Sequence, residues 1–232
     1  MIARALVSAL VAAILIPVPA ASASEGADMV VPGVSIFQND PAGGRFECSS
    51  GFVVKLSDGT PGILTAGHCS HGPSVPVTQF DTSSTEHRVG YYVRAANDDT
   101  VMGADIGLIS VQSDLPVRSG LWGRVPVEGI LTAEDARSLP AGEQVCKIGA
   151  KTQFSCGPVT EVRGDKVFFR ADDTNGDSGS PVFVPAPDGK GVYALGVLVR
   201  GTGSSDGSGT IEAQTIAPYL RAWGVKLVIT QQ

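Results

Sequence analysis

Glycine and proline break this chain too often for long helices to form. Its 232 residues include 29 glycines and 15 prolines, which loosen the backbone or remove a donor that a helix needs. The apolar segments between them are strand-length: Val53 to Leu56, His87 to Arg94, Ile106 to Val111, Lys166 to Arg170, Pro181 to Val184 and Val192 to Val199. They are rich in β-branched and aromatic residues, which suit a pleated surface. Many short strands divided by turn residues imply an all-β sandwich or barrel. Only Ile216 to Trp223 reads as a helix, and Gly224 is placed to end it.

The N-terminus has a different character. Arg4 supplies a positive charge, an apolar run from Ala5 to Ile16 follows, and Ala21-Ser22-Ala23 offers a small-residue cleavage site. That order reads as a signal peptide over residues 1–23 and places the mature chain outside the cell, with no membrane anchor after cleavage. The apolar run breaks at Pro17, short of the roughly 20 residues that a bilayer span needs. Export lets thiols pair. Four cysteines allow three connectivities, of which the spacing favours Cys48 with Cys69 and Cys146 with Cys156. The excess of 23 acidic over 17 basic residues argues against nucleic acid as a partner.

Residues 24–32 form a short N-terminal segment. The Pro-, Gly- and Ser-bearing stretch from Val111 to Val127 divides the mature chain near its middle, so two β-units are expected over 33–116 and 127–232, with a linker at 117–126. The stretch Gly201 to Gly209, "GTGSSDGSG", has the composition of a flexible loop.

Two short motifs carry chemistry. In "NGDSGSPVF", residues 175–183, glycines flank Asp177-Ser178 and permit a tight turn that presents Ser178. A serine hydroxyl needs a base to become a nucleophile, and the three histidines, His68, His71 and His87, all precede it. His68 stands in "LTAGHC", where small neighbours leave room for the ring and Cys69 could tie down its loop. A carboxylate must orient that ring. Asp105, in "GADIGLIS", opens a buried-looking strand, where an unpartnered charge would be costly. His71 and His87 have no such context and read as surface residues. His68, Cys69 and His71 could also suggest a metal site, but a disulfide to Cys48 leaves too few of the four ligands that structural zinc takes. No metal or cofactor is expected.

"TAGHC", "ADIGLI" and "GDSG", in that order, resemble the chymotrypsin-like serine peptidases. "CSSGFVV" at 48–54, and Cys146 and Cys156 followed by Gly157, resemble the bacterial streptogrisin-like branch. The resemblance implies two antiparallel six-stranded Greek-key β-barrels with a short C-terminal helix and a cleft between them. It implies His68, Asp105 and Ser178 as a catalytic triad, with the N–H groups of Gly176 and Ser178 as the oxyanion hole. The expected protein is a monomeric secreted serine endopeptidase acting on proteins or peptides, with a protein inhibitor as a further partner for its cleft.

Departures from the family pattern raise specific questions. Ser180 and Pro181 follow "GDSG" where a second glycine is common. "LGVLVRG", 195–201, matches the strand that lines the specificity pocket, and its Val199 stands where the family places a serine that bonds the catalytic aspartate. Substrate contacts are therefore expected from Leu198, Val199, Arg200 and Gly201. Asp172, six residues before Ser178, has the spacing of the acidic residue that selects lysine or arginine in trypsin-like members, although Asp173 stands beside it. Asp177 needs a cationic or hydrogen-bonding partner, for which an internal arginine could serve.

Two rivals frame the reading. "GSSDG" at 203–207 matches a G-x-S-x-G elbow, but an α/β-hydrolase needs its histidine downstream, and none follows residue 87. A catalytically silent barrel pair that only holds peptides is the rival from another class.

Overall fold

A computed structural model describes residues 27–230, apart from 99, 101, 141 and 207. The signal segment and its cleavage site lie outside the described residues. The N-terminal half forms β1 (Ser35–Asn39), β2 (Arg45–Ser49), β3 (Val53–Lys55), β4 (Pro61–Thr65), β5 (Val77–Phe80), β6 (Glu86–Asn97) and β7 (Asp105–Val111). The C-terminal half forms β8 (Val127–Ile130), β9 (Gln144–Gly149), β10 (Gln153–Arg163), β11 (Lys166–Arg170), β12 (Pro181–Pro185), β13 (Val192–Gly201), β14 (Thr210–Thr215) and β15 (Lys226–Leu227).

The first sheet runs in the order β15-β3-β4-β7-β6-β5-β1-β2. Its eight strands include β15, which the C-terminal helix α2 (Ala217–Trp223) returns to pair with β3. In the second sheet β12 pairs with both β9 and β13, closing a six-stranded barrel to which β8 adds a parallel edge. The all-β, chymotrypsin-like expectation therefore holds.

Strand β13 couples the two units. Val197 and Val199 point into a core shared with Phe52, Ile106 and Ile109 of the first sheet. Leu195 and Leu198 point the other way, into a second core with Phe169 and Ile211. Each such enclosed side chain contributes about 1.5–3 kcal/mol, so β13 is fixed from both faces.

Two local expectations need correction. A second helix, α1 (Ala133–Arg137), forms because Thr132 and Asp135 cap each other's backbone N–H groups, a short-range device that apolar periodicity does not reveal. His87 is half-buried, with Nε2 3.0 Å from Asp81 and Nδ1 3.3 Å from Asp114. His71 is also half-buried, stacked against Phe46 with ring centroids 4.3 Å apart. Residues 117–126 connect the sheets, but Leu121 and Trp122 within them are buried in the first core.

Candidate active site

His68 lies in a 3-10 turn, Gly67–Cys69, at the end of β4. The turn passes so close to β6 that a Cβ on Gly67 would sit 1.9 Å from the Ala96 carbonyl oxygen. Asp105 begins β7 and is 1% exposed. Its Oδ2 lies 2.8 Å from His68 Nδ1, and its Oδ1 accepts the N–H groups of Gly67 at 2.7 Å and His68 at 3.0 Å. Burial alone would raise this carboxyl's pKa. The His68 ring and the two N–H groups outweigh it and hold the carboxyl below the usual range. With Nδ1 donating to Asp105, Nε2 is left as the acceptor. The Cys48–Cys69 disulfide ties the turn to β2, and Cys146–Cys156 links directly opposed positions of β9 and β10. Both sulfurs beside His68 are thus spent in a disulfide, so the group formed by Cys48, His68 and Cys69 offers no thiolate to a metal.

Ser178 is half-buried between Gly176 (φ 102°) and Gly179 (φ 88°). Those left-handed angles favour glycine, and space demands it at Gly179. A Cβ there would lie 2.1 Å from Thr65 Oγ1, 2.4 Å from the Ser49 carbonyl oxygen and 3.1 Å from Ala66 N. The Ser178 turn therefore sits on the end of β4, just ahead of His68. Ser49 ties it down: its N–H donates to the Ser178 carbonyl at 2.6 Å and its hydroxyl to the Gly176 carbonyl at 2.8 Å. The same hydroxyl accepts the Ala150 N–H at 3.0 Å, joining the two units.

Asp177 is fully buried, and its partner is a lysine rather than an arginine. Lys147 Nζ, on β9, lies 3.2 Å from Oδ2. Thr152 Oγ1 donates to Oδ2 at 2.5 Å, and the N–H groups of Lys151, Thr152 and Thr174 complete the set at 2.9, 3.2 and 3.2 Å. Burial lowers the Lys147 pKa, and the charge and hydrogen bond of Asp177 oppose that only in part. Beside this cluster the Lys151 stem covers Gly176, with its Nζ 2.6 Å from Glu47 across the boundary between the units.

Strand β13 bears on the substrate contacts expected from the resemblance. Alternation along β13 sends the Leu198 and Val199 side chains into the two cores, each 2% exposed, so neither side chain can line a pocket. The Leu198 backbone is also committed, donating to Ser180 and accepting from Gly179. Val199 falls at a register shift between β13 and β14 and has no side-chain donor to offer Asp105. Arg200 is half-buried and Gly201 is exposed. Asp172 is half-buried, whereas Asp173 is 6% exposed and accepts the Gly203 N–H at 3.1 Å.

Ser49, Lys147, Thr152 and Gln214 were not anticipated. Gln214, buried on β14, accepts the Asp105 N–H at 3.3 Å through Oε1. The one available signal was Lys147 itself, a charge set between Cys146 and Ile148 in an otherwise apolar run.

The sequence model of the family described as Trypsin matches residues 41–223. The chain belongs to the trypsin family. Within this trypsin-family grouping it is similar to Streptogrisin-D of Streptomyces griseus, 29% identical over 80% of this chain and 46% of that protein. The chain thus spans less than half the length of that curated relative. Among solved structures, Thermobifida fusca Protease A is 25% identical with a TM-score of 0.62, covering 87% of this chain and 100% of that one. A Nocardiopsis protease is 25% identical with a TM-score of 0.63, covering 85% and 98%. These relatives place the chain with chymotrypsin-like serine peptidases of the streptogrisin branch.

Proposed function

We propose that the mature chain is a secreted serine endopeptidase that cleaves peptide bonds through an acyl-enzyme. The observation that carries this reading is the 2.8 Å contact of His68 Nδ1 with buried Asp105, made where the Ser178 turn rests on Thr65 and Ala66. Ser178 Oγ attacks the substrate carbonyl while His68 Nε2 takes its proton. The N–H groups of Gly176 and Ser178 receive the developing oxyanion, a kind of contact worth about 2.7–4 kcal/mol per donor. His68 then returns the proton to the leaving amine, and water releases the acyl group by the same route in reverse. Asp105 holds the ring and steadies its charged form. Protein and peptide substrates, a monomeric state and a site free of cofactors belong to this reading. Among the described residues no helix is long and apolar enough to cross a membrane.

Val199 favours one rival, a silent barrel pair that binds peptides without cutting them, because it withholds a donor from Asp105. A fluorophosphonate probe separates the two. The expected result is covalent labelling of Ser178, abolished by His68→Ala, together with cleavage of a peptide library by the unmodified chain. Folded protein that takes no label would establish the silent reading instead.

A further inference from the structure

Three consecutive carbonyls of the Ser178 turn are held by two buried serines. The Gly176 carbonyl accepts the Ser49 hydroxyl at 2.8 Å, and the Ser178 carbonyl accepts the Ser49 N–H at 2.6 Å. Between them, the Asp177 carbonyl accepts both the N–H of Ser180, at 3.0 Å, and its hydroxyl. The N–H groups of Gly176 and Ser178, by contrast, meet no acceptor among the described residues. Those are the two donors that the resemblance assigns to the oxyanion hole.

Both serines are wholly enclosed. A hydroxyl has one proton to give, and at Ser49 its destination is settled. The other neighbour, the Ala150 N–H at 3.0 Å, is itself a donor, so the proton goes to the Gly176 carbonyl. Ser49 is anchored in turn, since Thr65 Oγ1 on β4 donates to its carbonyl at 2.9 Å, and β4 leads into the His68 turn. The Ser178 turn and His68 thus share one support. A peptide group is planar, so a bond to its carbonyl also fixes the direction of the N–H on the same plane. Ser180 acts in this way on the plane that carries the Ser178 N–H. Ser49 acts on the plane between Gly176 and Asp177, and so limits rotation at Gly176, whose φ of 102° lies where glycine moves freely. Ser180 also stands after "GDSG" where a second glycine is common in the family, and a glycine has no hydroxyl to give.

We propose that Ser49 and Ser180 are positioning residues for the oxyanion hole, their buried hydroxyls aiming the Gly176 and Ser178 N–H groups at the oxygen that becomes negative when the substrate carbonyl is attacked. The proposal rests on the endopeptidase reading above. Neither hydroxyl touches the substrate. Their effect is exerted before it arrives, because an oxyanion donor stabilises the transition state most when it already points where the charge will develop. A turn free to rotate would bind substrate as before and stabilise the tetrahedral state less, so the loss should appear in kcat rather than in KM.

The test compares the unmodified mature chain with Ser180→Gly and Ser49→Ala on a peptide amide that the library shows to be cut, and on the peptide aldehyde of the same sequence, whose adduct with Ser178 carries the oxyanion. Each variant is expected to lower kcat roughly 2- to 10-fold, the range of one net hydrogen bond, with KM unchanged, and to weaken aldehyde binding by the same factor. That is well short of the roughly hundredfold or greater loss that follows removal of an oxyanion donor itself. Denaturant titration of the same preparations measures stability separately. Variants that lose stability yet keep kcat and aldehyde affinity, or that raise KM alone, overturn the assignment of both serines and leave the endopeptidase reading standing. Should Ser49→Ala fail to fold, Ser180→Gly decides, since it installs the residue common at that position in the family. Unmodified protein that takes no fluorophosphonate label overturns both the assignment and the reading beneath it.

Discussion

Lys147 Nζ lies 3.2 Å from Asp177 Oδ2 with both side chains closed off from solvent. Taking two charges out of water costs several kcal/mol each, so the pair is not in itself a source of stability. Its consequence is positional. Asp177 lies between Gly176 and Ser178, so whatever holds its carboxylate also holds the turn that carries Ser178, the proposed nucleophile. Lys147→Met removes the hydrogen-bond donor as well as the charge and should lower unfolding free energy by about 1–3 kcal/mol, the cost of leaving a buried acceptor without its partner. Denaturant titration measures that loss. The labelling rate of Ser178 in protein that remains folded measures the positional part.

The same pair sets an alkaline limit. Lys147 titrates below the ordinary lysine value of 10.5 because burial disfavours its charge. As pH rises through that lowered value, Asp177 loses its counter-ion and kcat/KM should fall. Stability should not fall with it. Between the lowered value and 10.5 the folded chain binds fewer protons at this group than the unfolded chain, so the contribution of Lys147 to stability rises with pH. Parallel profiles of kcat/KM and of denaturation midpoint check this, and a midpoint that drops in step with activity would refute the local explanation.

Asp105 gives the opposite limb. Its carboxyl titrates below the ordinary 3.8 because His68 and two backbone N–H groups favour the anion over the cost of burial. Its contribution to stability is therefore complete above 3.8 and is lost as pH falls through the depressed value. Asp105→Asn should remove that acid dependence. It should also cut kcat roughly ten-thousand-fold by allowing the wrong ring tautomer. Thermal melts from pH 5 to pH 2 and steady-state rates at neutral pH test the two halves separately.

How much of this was legible in the sequence depends on whether a residue's role is set nearby or far along the chain. Strand β11 begins and ends where the β-branched and aromatic run from Lys166 to Arg170 predicts. His68 and Asp105 lie in motifs that carry their own local geometry, and the structure brings them into contact. Lys147 was not legible as the partner of Asp177, because a lysine in a strand ordinarily points to water and only the closure of β9 against β12 encloses it. Asp172 is half-buried and Asp173 is 6% exposed, a difference that spacing cannot resolve for adjacent residues. Helix α1 escaped notice because its stability lies in one reciprocal cap rather than in an apolar face.

The Cys48–Cys69 bridge spans a sequence separation of 21 residues and fixes the turn that carries His68 to β2. Replacing both cysteines by serine should lower unfolding free energy by about 3 kcal/mol, from restored freedom in the unfolded chain. It should also slow labelling of Ser178 in the fraction still folded, since nothing else covalent holds the turn. Calorimetry and labelling kinetics on the double variant measure both effects. A large loss of stability with an unchanged labelling rate would show that Asp105 and its two backbone bonds position His68 unaided.

Val199 offers a gain in place of a loss. The oxygen of Asp105 that meets His68 Nδ1 faces the ring, whereas the other oxygen accepts two backbone N–H groups. A hydroxyl at position 199 would reach the less supported side by the family resemblance. Val199→Ser should therefore raise kcat/KM roughly 2- to 10-fold, the range of one net hydrogen bond. The cost falls on packing, because the valine is 2% exposed in the core shared by the two units, and its loss should take about 1.5–3 kcal/mol from stability. Rates and denaturation curves on the same preparation separate the effects, and a variant that loses stability without gaining rate would mean that Gln214 and the backbone already hold Asp105 as firmly as catalysis requires.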